Sequence, residues 1–242
     1  PRSAAITFDD GYEDNFSIAL PLLKKHKVSA TFFIATGFLD GGRMWNDSVI
    51  EAIRRTERPT LDLTSIGLQV IRVTDIDEKR TAIAKVIGAL KYEQFDTRRT
   101  KTDALAELAG VELPTDLMMN SVQVCEMYAQ GMGIGAHTVN HPILARIDLK
   151  SAEQEILNSK LVLEGLINEP ITLFAYPNGK LGQDYEPEHA TLAKKLGFSG
   201  AVATDWGVAN NKSDLFKIPR FTPWDKTRLS FGTRLLRNYV QR

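Results

Sequence analysis

The chain has 242 residues, which is enough for one large α/β domain or two small ones. Hydrophobic residues make up 43% and charged residues 25%, as is usual for a globular protein and unlike a disordered or fibrous chain. Basic and acidic side chains number 30 each, so no net positive charge attracts nucleic acid or an anionic lipid surface. We therefore expect no nucleic-acid partner.

The sequence contains no sign of disulfide or membrane stabilisation. A single cysteine, Cys125, excludes an internal disulfide. No apolar run approaches the length of about 18 residues that would predict a transmembrane helix, and no signal peptide is visible. We expect a soluble, cytoplasmic chain as given. Because the chain begins at Pro1 without an initiator methionine, a periplasmic or cell-surface location stays open if a segment has been trimmed. The oligomeric state is left open.

The N-terminal part has the alternating pattern of a βαβ unit. Residues 4–8 form an apolar run that predicts a buried strand, and residues 15–26 carry apolar side chains at helical spacing. Residues 28–35 are rich in β-branched and aromatic side chains, which predicts a second strand. A unit of this length implies parallel strands joined by a right-handed crossover.

The stretch from about residue 44 to residue 120 breaks this alternation. Short strands are predicted at 61–63 and 70–73, and charged helices at 75–90 and 101–108. We interpret the stretch as a mainly helical insertion that elaborates one face of the fold and has no core of its own.

The alternation of strands and helices returns after the insertion, which predicts an α/β fold with a parallel sheet. The expected strands are at 132–136, 171–176, 199–203 and 215–221, and the expected helices at 152–167, 188–196 and 228–239.

Two polar segments directly follow predicted strands. Residues 7–11 read Thr-Phe-Asp-Asp-Gly, and residues 137–142 read His-Thr-Val-Asn-His-Pro. Strand ends are where α/β barrels hold their chemistry. Two imidazoles and one carboxylate suit a divalent metal with open coordination positions, and the second carboxylate is free to act as a base. Each segment is a weak signal by itself, but their joint occurrence predicts a metal site.

These segments resemble the motifs of the polysaccharide deacetylases, the NodB-homology domain of carbohydrate esterase family 4. Residues 7–11 match the first motif and residues 137–142 the second. Residues 174–179, Phe-Ala-Tyr-Pro-Asn-Gly, are similar to the third motif, whose usual core is Pro-aromatic-Gly. Further agreement occurs in Ala-Thr-Phe-Phe at 30–33 and Gly-Phe at 197–198.

The resemblance extends over essentially the whole chain except the insertion. It implies an α/β fold of the NodB-homology type, a distorted (β/α)7 TIM-like barrel. We therefore expect residues 1–242 to form a single deacetylase domain with an insertion at about 44–120.

The resemblance implies a hydrolase that removes acetyl groups from N-acetylated sugars, with a bacterial-type cell-surface polysaccharide or glycan precursor as its carbohydrate partner. By position, Asp10, His137 and His141 would hold a divalent metal, with Zn²⁺ favoured. Asp9 would be the general base, and water polarised by the metal the nucleophile. In the family a backbone N–H of the third motif stabilises the oxyanion, and that position is Asn178 here.

The chain departs from the family pattern at two points. The family commonly has an arginine at the start of the third motif, but residues 172–175 contain none. We expect Arg220 to replace it and to pair with Asp9. The family's fifth motif commonly supplies a histidine as general acid, but no histidine follows Arg220. His26 and His189 are expected on helix surfaces, so the general acid is left unknown.

Aromatic side chains in loops above a barrel can stack on the apolar face of a sugar ring. The segment Asp-Trp-Gly at 205–207 resembles the family's fourth motif, which borders the catalytic groove. The residues expected to contact substrate are Tyr12, Thr138, Tyr176, Pro177, Trp206 and Trp224.

Two other functions stay open. One is a hydrolase of a small amide or cyclic imide on the same barrel, for which the missing histidine would fit a changed leaving group. The other is a catalytically idle carbohydrate-binding homologue that has kept the fold and the metal. The complete ligand set favours the deacetylase over the first. The intact Asp9 argues against the second, because a binding module needs no base.

Overall fold

The structure, a computed structural model, describes residues 3–240. These residues divide into two compact units. The first unit contains the described residues up to Leu39 and those from Met119 onward, and the second is Asp40–Met118. The second unit coincides closely with the insertion expected at about 44–120. That the chain acts as a single deacetylase domain stays a prediction.

The described residues contain eight strands, numbered in chain order. They are β1 (Thr7–Phe8), β2 (Thr31–Ile34), β3 (Thr60–Asp62), β4 (Val70–Arg72), β5 (Gly133–Ala136), β6 (Leu173–Ala175), β7 (Gly200–Trp206) and β8 (Ile218–Arg220). Six of them form one parallel sheet in the order β1-β2-β5-β6-β7-β8. Strands β3 and β4 form a separate antiparallel pair.

Eight α-helices occur in the same residues. They are α1 (Leu20–Lys25), α2 (Trp45–Arg55), α3 (Ile76–Leu90), α4 (Phe95–Ala109), α5 (Ser121–Ala129), α6 (Leu149–Ile167), α7 (Pro187–Lys195) and α8 (Arg228–Val240). A π-helical turn, Asn15–Ala19, directly precedes α1. None of the helices in the described range combines the length and apolar character that crossing a bilayer requires.

The predicted α/β fold is confirmed, and its parallel sheet follows the chain order as in a barrel. The main sheet of the described residues has six strands where the resemblance suggested seven. Strands β1 and β8 lie at its two ends. They are connected by a side chain, since Arg220 at the end of β8 donates to Thr7 of β1 and to Asp9 directly after it.

The core of the first unit lies between the sheet and its helices. Strand β2 contributes Phe32 and Ile34, both fully buried, and β6 contributes Phe174. On β5 the side chain must be small, because a Cβ on Gly135 would lie 2.5 Å from the ring of Phe33. These buried strands hold the ends from which the polar motifs project.

The second unit has a hydrophobic cluster of its own. Its fully buried members include Ile53 of α2, Leu90 of α3 and Leu105 of α4. The expectation that the insertion lacks a core is therefore wrong. The reason is that residues 45–55, which the sequence pattern left unassigned, form a helix with an apolar face.

Candidate metal centre

The polar motifs meet at one edge of the main sheet. Asp9 and Asp10 directly follow β1, His137 directly follows β5, and Arg220 ends β8. Parallel strands present their carboxyl ends at the same edge, so residues far apart in the sequence come together there. A backbone hydrogen bond joins the first motif to the end of the neighbouring strand, since the carbonyl of Asp10 accepts from the N–H of Ala35, directly after β2, at 3.2 Å.

Three side chains could hold a metal ion. The Oδ1 atom of Asp10 lies 3.3 Å from Nε2 of His137 and 3.4 Å from Nε2 of His141. All three ligand atoms lie within 4.8 Å of one another. Within residues 3–240 no other group of three or more histidine, cysteine or acidic side chains is this close. His137 is buried, while Asp10 and His141 are partly exposed, so the centre is open on one side.

The tautomer of His137 is fixed by its second nitrogen. Its Nδ1 lies 2.8 Å from the carbonyl oxygen of Ala175, the last residue of β6. Because a carbonyl can only accept, Nδ1 carries the hydrogen and Nε2 turns a lone pair toward Asp10 in the neutral imidazole. This orientation is the one that a metal ligand requires.

The electrostatics of the centre favour a positive charge between these groups. Burial by itself would raise the pKa of Asp10, but the hydrogen bond that a protonated His137 donates to it and the charges of both histidines lower it below its usual value. Burial by itself would lower the pKa of His137, but the hydrogen bond that its protonated form makes to Asp10 and the charges of Asp9 and Asp10 raise it. Two nitrogen donors and one oxygen donor that together attract positive charge fit a divalent cation.

The site residues adopt an uncommon backbone conformation. Four of the seven non-glycine residues with positive φ in the described chain belong to the motifs: Asp10, Thr138, His141 and Asn178, with φ of 77°, 64°, 51° and 59°. Such conformations cost about 1–3 kcal/mol each and persist where the surroundings impose them. Their concentration at this edge is typical of a functional site.

Thr138 supports the loop between the two histidines. Its hydroxyl donates to the carbonyl of His137 at 2.5 Å and accepts from the N–H of His141 at 3.1 Å. The side chain is fully buried. The hydroxyl is therefore engaged within the loop, and contact of Thr138 with substrate stays a prediction.

Asp9 forms a bidentate pair with Arg220, as expected from the sequence. The two guanidinium nitrogens donate to Oδ1 and Oδ2 at 2.7 and 2.6 Å. The guanidinium also donates to the Thr7 hydroxyl at 3.1 Å and to the Ala203 carbonyl at 2.9 Å. Its planar group also lies 5.8 Å from the ring of Phe33. These contacts fix the plane of the Asp9 carboxylate.

The third motif begins beside His137, since Ala175 accepts from its ring. Asn178 is exposed, and its carbonyl accepts from the hydroxyl of Thr204. Gly179 follows with φ of 78°, and a Cβ there would lie 2.9 Å from the backbone nitrogen of Thr204. Glycine is therefore required for the motif to lie against β7.

Tyr176 and Pro177 are the buried residues of this motif. Tyr176 is fully buried, its hydroxyl donates to the carbonyl of Phe216 at 2.9 Å, and its ring stacks on Tyr185 at 3.8 Å. Burial raises the pKa of the Tyr176 phenol far above its usual value. Pro177 is also buried. Both side chains are packed inside the protein in this structure, and contact of Tyr176 and Pro177 with a sugar stays a prediction.

The remaining expected substrate contacts are accessible. Trp206, at the end of β7, is 52% exposed, and Trp224 is 79% exposed. The indole N–H of Trp206 donates to Asn238 of α8 at 2.6 Å, and the guanidinium of Arg234 lies 5.4 Å from its ring. Tyr12, directly after the first motif, is partly exposed. Contact of these three residues with a sugar stays a prediction.

Two residues differ from the sequence expectation or were missed by it. His189 is buried, with Nδ1 accepting from the N–H of Glu186 at 2.9 Å at the start of α7. The expectation of a surface histidine is wrong because this residue is part of the helix cap. Glu155 on α6 accepts from two backbone N–H groups between the metal-site histidines. Its position on an ordinary amphipathic helix gave no signal.

Comparison with known proteins places these motifs in a family. The family model described as polysaccharide deacetylase matches residues 1–59 and 115–201, and the interruption falls within the second unit. The Bacillus subtilis protein YxkH, whose name assigns it to the polysaccharide deacetylases, is 22% identical over 219 residues. That match covers 90% of this chain and 50% of YxkH. The chain therefore spans about half the length of this curated relative.

Solved structures show the same fold. The Streptococcus pyogenes deacetylase PplD, in complex with acetate, matches with a TM-score of 0.55 and 22% identity, over 90% of this chain and 62% of that one. The deacetylase domain of BpsB from Bordetella bronchiseptica matches with a TM-score of 0.56 and 15% identity, over 91% and 70%. IcaB from Ammonifex degensii matches with a TM-score of 0.55 and 18% identity, over 96% and 71%. The family model covers more than half of the sequence, and the chain therefore belongs to the polysaccharide deacetylase family.

Proposed function

We propose that the chain is a metal-dependent hydrolase that removes acetyl groups from N-acetylated sugars of a cell-surface polysaccharide or its glycan precursor. The observation that carries the proposal is the juxtaposition of two carboxylates with different partners. Asp10 faces two histidines, whereas Asp9 is bound on both oxygens by Arg220. Two adjacent carboxylates in different environments suit two different roles in one reaction.

Asp10, His137 and His141 would hold the metal. Zn²⁺ is the proposed ion, because it accepts two imidazole nitrogens and one carboxylate oxygen and keeps positions free for other ligands. When bound, such an ion polarises a carbonyl oxygen and lowers the pKa of a water molecule. The hydrogen bond from His137 to Ala175 supports this assignment, because it leaves the lone pair of Nε2 free to bind the metal.

Asp9 would act as the general base. Arg220 holds both of its oxygens in one plane, and each oxygen keeps a further lone pair for a water molecule. General bases of this kind must lie within hydrogen-bonding reach of the proton that they remove. The four donated bonds of Arg220 supply the rigidity that such positioning needs.

The backbone N–H of Asn178 would donate to the oxyanion that forms when the acetyl carbon is attacked. Its left-handed conformation is held by the bond from Thr204 to its carbonyl and by the close packing of Gly179. A donor that is fixed before the reaction stabilises developing charge without reorganising. A backbone donor also tolerates asparagine in place of the family's usual aromatic residue.

The leaving amine needs a proton, and the described histidines outside the metal set are poorly suited to supply it. His189 is buried in the cap of α7, and His26 is exposed directly after α1. We propose that Asp9, once protonated by the attacking water, returns the same proton to the amine nitrogen. The base and the acid are then one group acting in two steps.

The missing histidine also favours a second candidate, a hydrolase of a small amide or cyclic imide. A leaving group that needs less protonation would require no separate acid. The idle carbohydrate-binding alternative is disfavoured by the Asp9–Arg220 pair, because a binding protein has no need of a carboxylate that two arginine hydrogen bonds hold in a fixed orientation.

The test is acetate release from a panel of N-acetylated saccharides, with and without a chelator, for the wild type and Asp9→Asn. Chelator-sensitive release that requires Asp9 supports the proposal. Turnover of small amides or cyclic imides alone supports the second candidate. Saccharide binding without any turnover supports the idle homologue and overturns the proposal.

A further inference from the structure

The loop between the two metal-site histidines is anchored to helix α6. The backbone N–H groups of Val139 and Asn140 donate to Oε2 of Glu155 at 2.9 and 2.8 Å. The side-chain amide of Asn140 donates to Oε1 at 2.7 Å. One carboxylate therefore accepts three hydrogen bonds from two consecutive loop residues.

These bonds are strong ones for a loop. Hydrogen bonds to an ionised carboxylate are shorter and roughly twice as strong as those between neutral groups. Two successive backbone N–H groups that point to one oxygen form a small anion-binding concavity. Without Glu155, both amides of Val139 and Asn140 would lose an acceptor inside a partly buried loop, which is costly.

The two histidines differ in how much they depend on this anchor. His137 directly follows β5, its backbone N–H donates to Ile34 at 3.1 Å, and its ring donates to Ala175 at 2.8 Å. His141 lies on the loop itself, where its backbone N–H donates to Thr138 at 3.1 Å. The backbone of His137 is therefore held by the sheet, and the backbone of His141 by the loop.

The loop is held on its other side by the chain that follows β2. The N–H of Gly37 donates to the carbonyl of Val139 at 2.9 Å, and a Cβ on Gly37 would lie 2.8 Å from the same oxygen. Residues 138–141 are thus held between the chain after β2 and the carboxylate of Glu155. Removal of the carboxylate would free one side of the loop and leave the other bound.

We propose that Glu155 is a positioning residue for the metal centre. Its carboxylate fixes Val139 and Asn140 so that the imidazole of His141 faces Asp10 at 3.4 Å. The inference rests on the proposed function, since it requires a metal at Asp10, His137 and His141. Glu155 lies outside the group of three candidate ligands and acts through His141.

The experiment measures the dissociation constant for Zn²⁺ alone, by competition with a chromogenic chelator, on metal-stripped full-length protein. Glu155→Ala should raise this constant by about 10- to 100-fold, as is usual when the support of a metal ligand is lost. Glu155→Gln keeps an oxygen that can accept from both backbone amides, and should raise it by several-fold. The matched control is Glu153→Ala on the same helix, whose carboxylate pairs with Lys195 at 3.4 Å and should leave affinity unchanged.

A double-mutant cycle separates positioning from general stability. In a His141→Ala background, Glu155→Ala should add little further loss of affinity, because the ligand that it positions is already absent. A purely structural role would give the same extra loss in both backgrounds. The absorption bands of bound Co²⁺ give a second readout, and Glu155→Ala should shift them toward those of His141→Ala.

The outcomes separate this inference from the proposed function. Wild-type protein that binds no Zn²⁺, or a His141→Ala variant that binds it as tightly as the wild type, would refute the metal site itself. A folded Glu155→Ala variant with the affinity of Glu153→Ala would refute the role of Glu155 alone. If the alanine variant does not fold, Glu155→Gln decides, and an affinity equal to that of the control would overturn the inference.

Discussion

Replacement of Arg220 by alanine tests the base assignment most directly. The side chain donates four hydrogen bonds, two of them to Asp9, and the two side chains are 14% and 26% exposed. Hydrogen bonds to charged groups contribute about 1.5–3 kcal/mol each, but water at this partly exposed pair replaces part of that energy. We expect Arg220→Ala to lower the free energy of unfolding by about 2–4 kcal/mol.

The effect on turnover follows from the freedom that Asp9 gains. A positioned general base contributes about 10²- to 10⁴-fold to a rate, and a displacement of about 1 Å can remove about 10²-fold. Arg220→Ala leaves the carboxylate in place without its clamp, so we expect kcat to fall by about 10- to 100-fold. Arg220→Lys should give a smaller loss, because an ammonium supplies the charge but not the bidentate geometry.

The assay is steady-state acetate release, together with urea unfolding and bound-metal content for each variant. Arg80→Ala, which removes an exposed arginine paired with Asp77, serves as the control and should behave as the wild type. An Arg220→Ala enzyme with an unchanged kcat would refute the proposed clamp. Loss of metal in that variant would instead show that Arg220 supports the Asp10 side of the centre.

Three further predictions concern single groups. Asp9→Asn should keep bound metal and lower kcat by about 10²- to 10⁴-fold, and metal loss in this variant would reverse the roles of the two carboxylates. His141→Ala should weaken Zn²⁺ binding and turnover together, measured by chelator competition and acetate release. Tyr176→Phe should lower the free energy of unfolding by about 1–3 kcal/mol at unchanged kcat, because only the bond to the Phe216 carbonyl is lost. A changed kcat there would contradict the buried, structural position of the ring.

The sequence predicted the parts of the fold that depend on local pattern. The first βαβ unit, the long helix α6 and the strands β5 and β6 occur close to their expected positions. In each of these elements the apolar residues keep the same helical or strand spacing throughout, and this regular spacing is the clearest sign of secondary structure in a sequence. Helix α2 was missed because it follows a stretch of glycine and polar residues and has little regular pattern before Val49.

The ligand types of the candidate site could be predicted from the sequence, but the directions of the neighbouring side chains could not. The ligand types stand in short segments after strands, so Asp10, His137 and His141 could be named together before their geometry was known. The motifs did not predict that the side chains of Thr138 and Tyr176 are buried. A motif fixes the position of a residue along the chain, but it does not fix whether the side chain points toward the substrate or into the protein.

The supporting groups differ in how far the sequence could identify them. Arg220 could be proposed because the family's arginine was missing and a pairing partner for Asp9 was required. No missing family residue pointed to Glu155. Its partners are two backbone N–H groups, and backbone N–H groups are present whatever the sequence. Side chains that bind ligands are recognisable by type, whereas those that bind the backbone of a ligand-bearing loop are recognisable only from the fold. The candidate metal centre therefore depends on groups that are far apart in the sequence: Asp9 and Asp10, the two histidines, Glu155 and Arg220. Only the folded sheet brings them to one edge, where they hold one another in place.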